Sequence, residues 1–195
     1  MERSLLYIFA LLIWGLVPVR AQVALIAPDV TVQKGDVFDL DITTQNFEDI
    51  VSMQMSIRWD STVLELDTVY NYNLPLLDNS DFGKIQGGLL TVGWFDLNLQ
   101  GVTLDDDDAR LFSLRLRAVG GFGDTTSLKF SNDPTEIEIG RLEGAVTVPV
   151  DFELFPGFIE ILNPNSVQEV DPSGRLQWSA PFPNPFSAQI QLPFF

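Results

Sequence analysis

Apolar and polar residues alternate one for one through most of the chain. Phe38, Leu40 and Ile42 take turns with Asp39 and Asp41, and Met53, Met55, Ile57 and Trp59 take turns with Ser52, Gln54, Ser56 and Arg58. Successive side chains of a strand point to opposite faces, so each set sends one row into a core and the other toward solvent. These two sets predict strands through residues 38–42 and 52–59, and the same period predicts strands at residues 64–66, 89–95, 111–119, 127–130, 135–139, 145–150 and 155–162. No stretch from Val23 onward sustains the helical period.

Turn formers separate these segments: Gln33-Lys34-Gly35-Asp36, Gly87-Gly88, Gly120-Gly121-Phe122-Gly123-Asp124 and Asn132-Asp133-Pro134. Many short strands with frequent reversals and no candidate helix predict an all-β fold, a sandwich or jelly roll. The alternation stops after Leu162, where residues 163–179 are rich in Pro, Asn, Ser and Asp and read as a linker. Residues 180–195 form a last short segment, and residues 22–162 are expected to form the single domain.

The first residues carry a different pattern. Glu2 and Arg3 precede an uncharged apolar run from Leu5 to Val19, broken by Gly15 and Pro18 and followed by Val19-Arg20-Ala21. A membrane-spanning helix needs about 20 apolar residues, so the run is read as a signal peptide over residues 1–21, cleaved after Ala21. The chain is therefore expected outside the cell or at its surface, and not as an integral membrane protein once processed.

Charge and composition then narrow the chemistry. The formal net charge is −16, from 27 acidic and 11 basic residues. Phosphate backbones require clustered Lys and Arg, so a nucleic-acid partner is excluded and an anionic membrane surface is disfavoured. The chain has no Cys and no His, which removes disulfides, Cys-His and Ser-His-Asp catalysis, and the commonest zinc ligand. Asp105-Asp106-Asp107-Asp108 invites a calcium site, but it lacks the alternate ligand positions and glycine of a calcium loop, and a solvated acidic loop is expected. Asp39, Asp41, Glu136 and Glu138 could suggest a paired-carboxylate glycosidase, yet alternate strand positions explain them as solvated. No catalytic residue, metal or cofactor is assigned. Trp59 and Trp94 are in phase with core positions, whereas Phe95 points the other way.

The segment Ile50-Val51-Ser52-Met53-Gln54-Met55-Ser56-Ile57-Arg58-Trp59-Asp60-Ser61-Thr62-Val63-Leu64-Glu65-Leu66 resembles the third and fourth strands of cohesin domains. There an alternating strand ends in an aromatic-Asp pair, followed by a short turn and Val-Leu-Glu-hydrophobic. The order around it is similar to that of cohesins, which open with a strand, a Gly-Asp turn and a second strand, here residues 24–32, Gly35-Asp36 and residues 37–43; Gly88 to Phe95 with Asp96 following, Leu111 to Ala118, and Gly157-Phe158-Ile159-Glu160-Ile161 resemble the later strands.

That resemblance implies a jelly-roll β-sandwich of about nine strands, a non-catalytic module whose partner is a dockerin, a small calcium-loaded helical module, in extracellular polysaccharide degradation. It places the docking surface on Ser52, Gln54, Ser56 and Arg58, with Thr91, Gly93, Phe95, Asp96 and Leu97 on or after the neighbouring strand. Well-known cellulosomal cohesins carry Asn and Asp on the third strand where this chain has Ser52 and Gln54, so a different set of contacts is expected. A carbohydrate-binding or adhesive sandwich with a polysaccharide ligand is the alternative. Near the end, Phe182-Pro183-Asn184-Pro185-Phe186-Ser187 resembles the start of the C-terminal sorting domain of type IX secretion, whose remaining strands do not follow before Phe195; an ordinary Pro-rich tail is the other reading.

Overall fold

The computed structural model describes residues 21–85, 87–105 and 108–162, together with the backbone of residues 168–170 and 176–178. In chain order the strands are β1 (Val23–Ile26), β2 (Val30–Gln33), β3 (Val37–Gln45), β4 (Ile50–Arg58), β5 (Leu64–Tyr70), β6 (Phe82–Ile85), β7 (Leu89–Phe95), β8 (Ala109–Ala118), β9 (Thr125–Ser131), β10 (Glu138–Glu143), β11 (Val146–Pro149), β12 (Phe152–Phe155) and β13 (Gly157–Leu162). One 3-10 turn, Asn79–Asp81, precedes β6. A separate ladder, β14 (Gln168–Val170) with β15 (Leu176–Trp178), lies inside the expected linker.

The strands form the predicted all-β sandwich. One sheet has five strands in the order β12-β1-β3-β8-β5; the other has eight, with β11-β10-β4-β9-β13-β2 in line and β7 and β6 added beside β4. The inward rows of both sheets meet in one core, where Leu25, Leu40, Met55, Ile57, Leu64 and Phe112 are fully buried. Removing such apolar area from water is the main force holding the two layers together. Trp59 and Trp94 are buried as expected, and each ring N–H finds a carbonyl: Leu64 for Trp59 at 2.9 Å, Pro75 for Trp94 at 2.8 Å.

Residues 24–32 and 155–162, each expected as one strand, both break at a proline and change sheets. Proline offers no N–H to a ladder, so Pro28 and Pro156 mark where the chain crosses from one layer to the other. The two crossings run side by side: β1 is parallel to β12, and β2 is parallel to β13. The Ala27 N–H donates to the Phe155 carbonyl at 2.9 Å, and the Phe158 N–H donates to the Asp29 carboxylate at 2.8 Å. Gly157 sits so close to the Pro28 carbonyl that a Cβ would collide with it.

Two further differences shape the candidate site. Of the expected strand at 135–139 only Glu138 and Ile139 join a ladder, in β10; residues 132–137 form a loop held by the Ile137 N–H on the Asn132 side-chain oxygen at 2.9 Å. Strand β6, which the alternation did not predict, pairs with β7 through a turn at Gly87 and Gly88, both with positive φ. Only glycine fits at 88, because its backbone packs against the Trp59 carbonyl.

The outward row of the five-stranded sheet is charged and paired within itself. Arg115 bonds the Asp39 carboxylate at 2.8 Å, donates to the Tyr70 hydroxyl at 3.1 Å and stacks over the Tyr70 ring at 4.7 Å, while Arg117 pairs with Asp67 at 3.2 Å. The Arg115 guanidinium holds the Asp39 carboxyl below its usual value, and the bond toward Asp39 pushes the Tyr70 hydroxyl up.

Candidate partner-binding face

Strand β4 is the axis of the other sheet's outer face. Antiparallel pairing sets Ser52 opposite Phe95, Gln54 opposite Gly93 and Ser56 opposite Thr91 on β7, and Gln54 opposite Glu138 on β10. Most of the proposed docking row is thereby brought together. Ser52 and Gln54 are half-buried, and the Gln54 amide donates to the Glu138 carboxylate at 3.0 Å. Arg58 is ion-paired with the Asp133 carboxylate and donates to the Asp133 carbonyl at 3.0 Å. Thr91 is half-buried beside Gly83. Phe95 stays 48% exposed.

Two of the expected surface residues are not at the surface. Ser56 is fully buried: β9 pairs with one end of β4 and β10 with the other, so the loop joining them arches over position 56. Asp96 is 4% exposed. Its carboxylate accepts backbone N–H groups of Gln100 at 2.9 Å, Asn98 at 3.0 Å and Gly101 at 3.1 Å, and these bonds, that from Gln100 foremost, hold it below the usual aspartate value. Asp96 thus shapes a loop, and Leu97 at the start of that loop is 70% exposed.

Between these elements lies an open groove of about 460 Å³, lined by Ser52, Gln54, Gly93, Phe95 and Leu97 from the expected set, by Glu138, which the strand pattern marked only as solvated, and by Leu76 and Asp81, which it did not point to. Leu76 comes from the connection between β5 and β6, where no period exists to flag it. Gly93 forms the open part of the floor, since a Cβ placed there would meet nothing within 4 Å. Among the described residues no group of three or more Asp or Glu side chains could hold a metal ion. Asp108 of the acidic run accepts from the Gln45 amide at 2.8 Å, and Asp106 and Asp107 lie outside the described residues. No described helix is long and apolar enough to cross a membrane.

The chain is thus a two-layer β-sandwich of the jelly-roll class, with an open groove across one sheet. The chain belongs to the cohesin domain family, whose model matches residues 23–153. The fold is shared with the non-cellulosomal cohesin of Archaeoglobus fulgidus, at 22% identity over 73% of this chain and 93% of that one, with a TM-score of 0.56. It is also shared with the OlpC cohesin of Clostridium thermocellum, solved in complex with a dockerin (17% identity, 72% and 94% covered, TM-score 0.58), and with the seventh ScaB type I cohesin of Pseudobacteroides cellulosolvens (14% identity, 72% and 92% covered, TM-score 0.59). No curated protein matches the sequence. The export segment, apart from Ala21, and the terminal sorting segment lie outside the described residues.

Proposed function

We propose that the chain is an exported, non-catalytic cohesin module that recruits a dockerin-bearing protein within extracellular polysaccharide-degrading machinery, and that the dockerin docks on the face built by β6, β7, β4 and β10. The observation that carries this reading is the groove over Gly93, with Phe95 and Leu97 exposed beside it, on a fold similar to cohesins that were solved bound to dockerins. A protein interface wants such a surface: an apolar centre with a polar rim. A glycan cleft wants exposed aromatic platforms, and both tryptophans of the domain, Trp59 and Trp94, are in the core. In this reading residues 1–21 are removed on export with cleavage after Ala21, residues 22–162 are the docking domain, 163–179 connect it onward, and 180–195 begin a type IX sorting signal.

The test is capture from an extracellular protein fraction on the immobilised exported chain, with and without a calcium chelator. Retention of a dockerin-bearing protein only when calcium is present is the expected result. Retention on insoluble polysaccharide, with no dockerin captured, would replace this reading by the carbohydrate-binding one.

A further inference from the structure

Taking the dockerin reading as its basis, we propose that this cohesin selects its partner by shape, through a preformed apolar clamp of Leu76, Phe95 and Leu97. The clamp receives one large aliphatic or aromatic side chain of a dockerin helix, flanked on that helix by Lys or Arg.

Apart from Ser52 and Thr91, the polar groups expected on the face are poorly placed to carry recognition. Ser56 is buried, the Gln54 amide is bonded to Glu138, Arg58 is paired with Asp133, and Asp96 is occupied by its own loop. A group that already has its partner gains little by exchanging it for another. The apolar groups are in the opposite condition. Leu76 is 67% exposed and has φ +61°, a left-handed conformation that a residue with a bulky side chain avoids. Its neighbours explain the strain: Leu74 and Leu77 are both buried, the Leu77 N–H bonds the Leu74 carbonyl at 3.2 Å, and the Pro75 carbonyl is tied to Trp94. The core thus anchors both sides of Leu76 and leaves it outside. Backbone strain held in place by its surroundings is a mark of a functional position.

Leu97 is presented in the same manner. The Asp96 carboxylate ties three N–H groups of its loop, and the Asp96 carbonyl accepts from the Leu99 N–H at 3.0 Å. A rigid apolar arm pays little ordering entropy when a partner arrives. Between the arms the floor is Gly93, with empty space where a side chain would stand. Two carboxylates line the groove with no basic side chain among its described lining: Asp81 accepts from the Asp78 N–H at 2.8 Å and Glu138 from the Gln54 amide, neutral donors that leave both charges unpaired by a cation in the groove, which fits a cationic flank on the entering helix.

The experiment is calorimetric titration of the exported chain with a calcium-loaded dockerin that it binds. The second titrant is the same module with its exposed apolar helix residue changed to Ser or its flanking cations changed to Glu. Leu76→Ser, Leu97→Ser and Gly93→Leu are expected to weaken binding by about ten-fold or more, and Ser52→Ala and Gln54→Ala by less than about three-fold. Leu76→Gly separates binding from folding: relief of the left-handed strain raises the denaturation midpoint while affinity falls. Unchanged affinity in the Leu76 and Leu97 variants, with loss at Ser52 or Gln54, overturns the clamp and leaves the dockerin reading standing. Failure of the unaltered chain to bind any calcium-loaded dockerin overturns both.

Discussion

The hydroxyl of Ser56 bonds the backbone of Thr135 in both directions, accepting from its N–H at 2.9 Å and donating to its carbonyl at 3.1 Å. One side chain therefore fastens the loop between β9 and β10 across β4. Replacing Ser56 by Ala strands both backbone groups and should cost about 1–3 kcal/mol of stability. Dockerin affinity should be nearly unchanged, because Ser56 does not line the groove. Urea unfolding and calorimetry on the same preparation check the two halves of this prediction.

Trp59 closes the β4 end of the core and hydrogen-bonds the Leu64 carbonyl. Trp59→Ala is expected to destabilise the domain by about 3–5 kcal/mol through the cavity it leaves. A shift well below this in chemical denaturation would contradict its place in the core.

Two glycines should respond in opposite ways to the same added methyl group. Gly157→Ala forces a Cβ into the Pro28 carbonyl and the Ala27 backbone, and an overpacked site of this kind costs about 1–3 kcal/mol. Gly93→Ala meets open space and should leave stability within about 0.5 kcal/mol. Thermal melts of the two variants side by side test the contrast.

Acid should weaken the fold through a defined set of carboxylates. Asp39 (bonded by Arg115), Asp60 (by Thr62), Asp78 (by Ser80) and Asp96 (by Gln100, Asn98 and Gly101) are all held below the usual aspartate value of 3.8. Each binds its proton less readily folded than unfolded, so each stabilises the fold fully above the unfolded value. That contribution is lost as pH falls below 3.8 and through the lowered folded value. Asp96→Asn should thus be less stable than the unaltered chain near neutral pH, and the difference should shrink as the medium is acidified. Denaturation midpoints measured along a pH series read this directly; a difference that grows in acid would reverse the assignment.

Alternation disclosed the sandwich because both sheets face one core, and for the same reason it hid the crossing at Pro156. The inward row stays inward when a strand changes sheets, so periodicity alone reads two strands as one. Ser56 shows the corresponding blind spot on the outer face: period two puts it in the outward row, but what covers it is set by a loop far along the chain. The strand-borne half of the groove, Ser52, Gln54, Gly93 and Phe95, was legible from period two and the cohesin resemblance. Leu76 was not, since its exposure depends on where Leu74 and Leu77 are buried.

The paired crossings give the domain a direction under load. The chain enters at Val23 and leaves at Leu162, at opposite ends of two parallel ladders, Val23 to Ile26 beside Phe152 to Phe155 and Val30 to Gln33 beside Ile159 to Leu162. A pull applied between Val23 and Leu162 would slide these strands along one another, loading their hydrogen bonds together instead of peeling them open one by one.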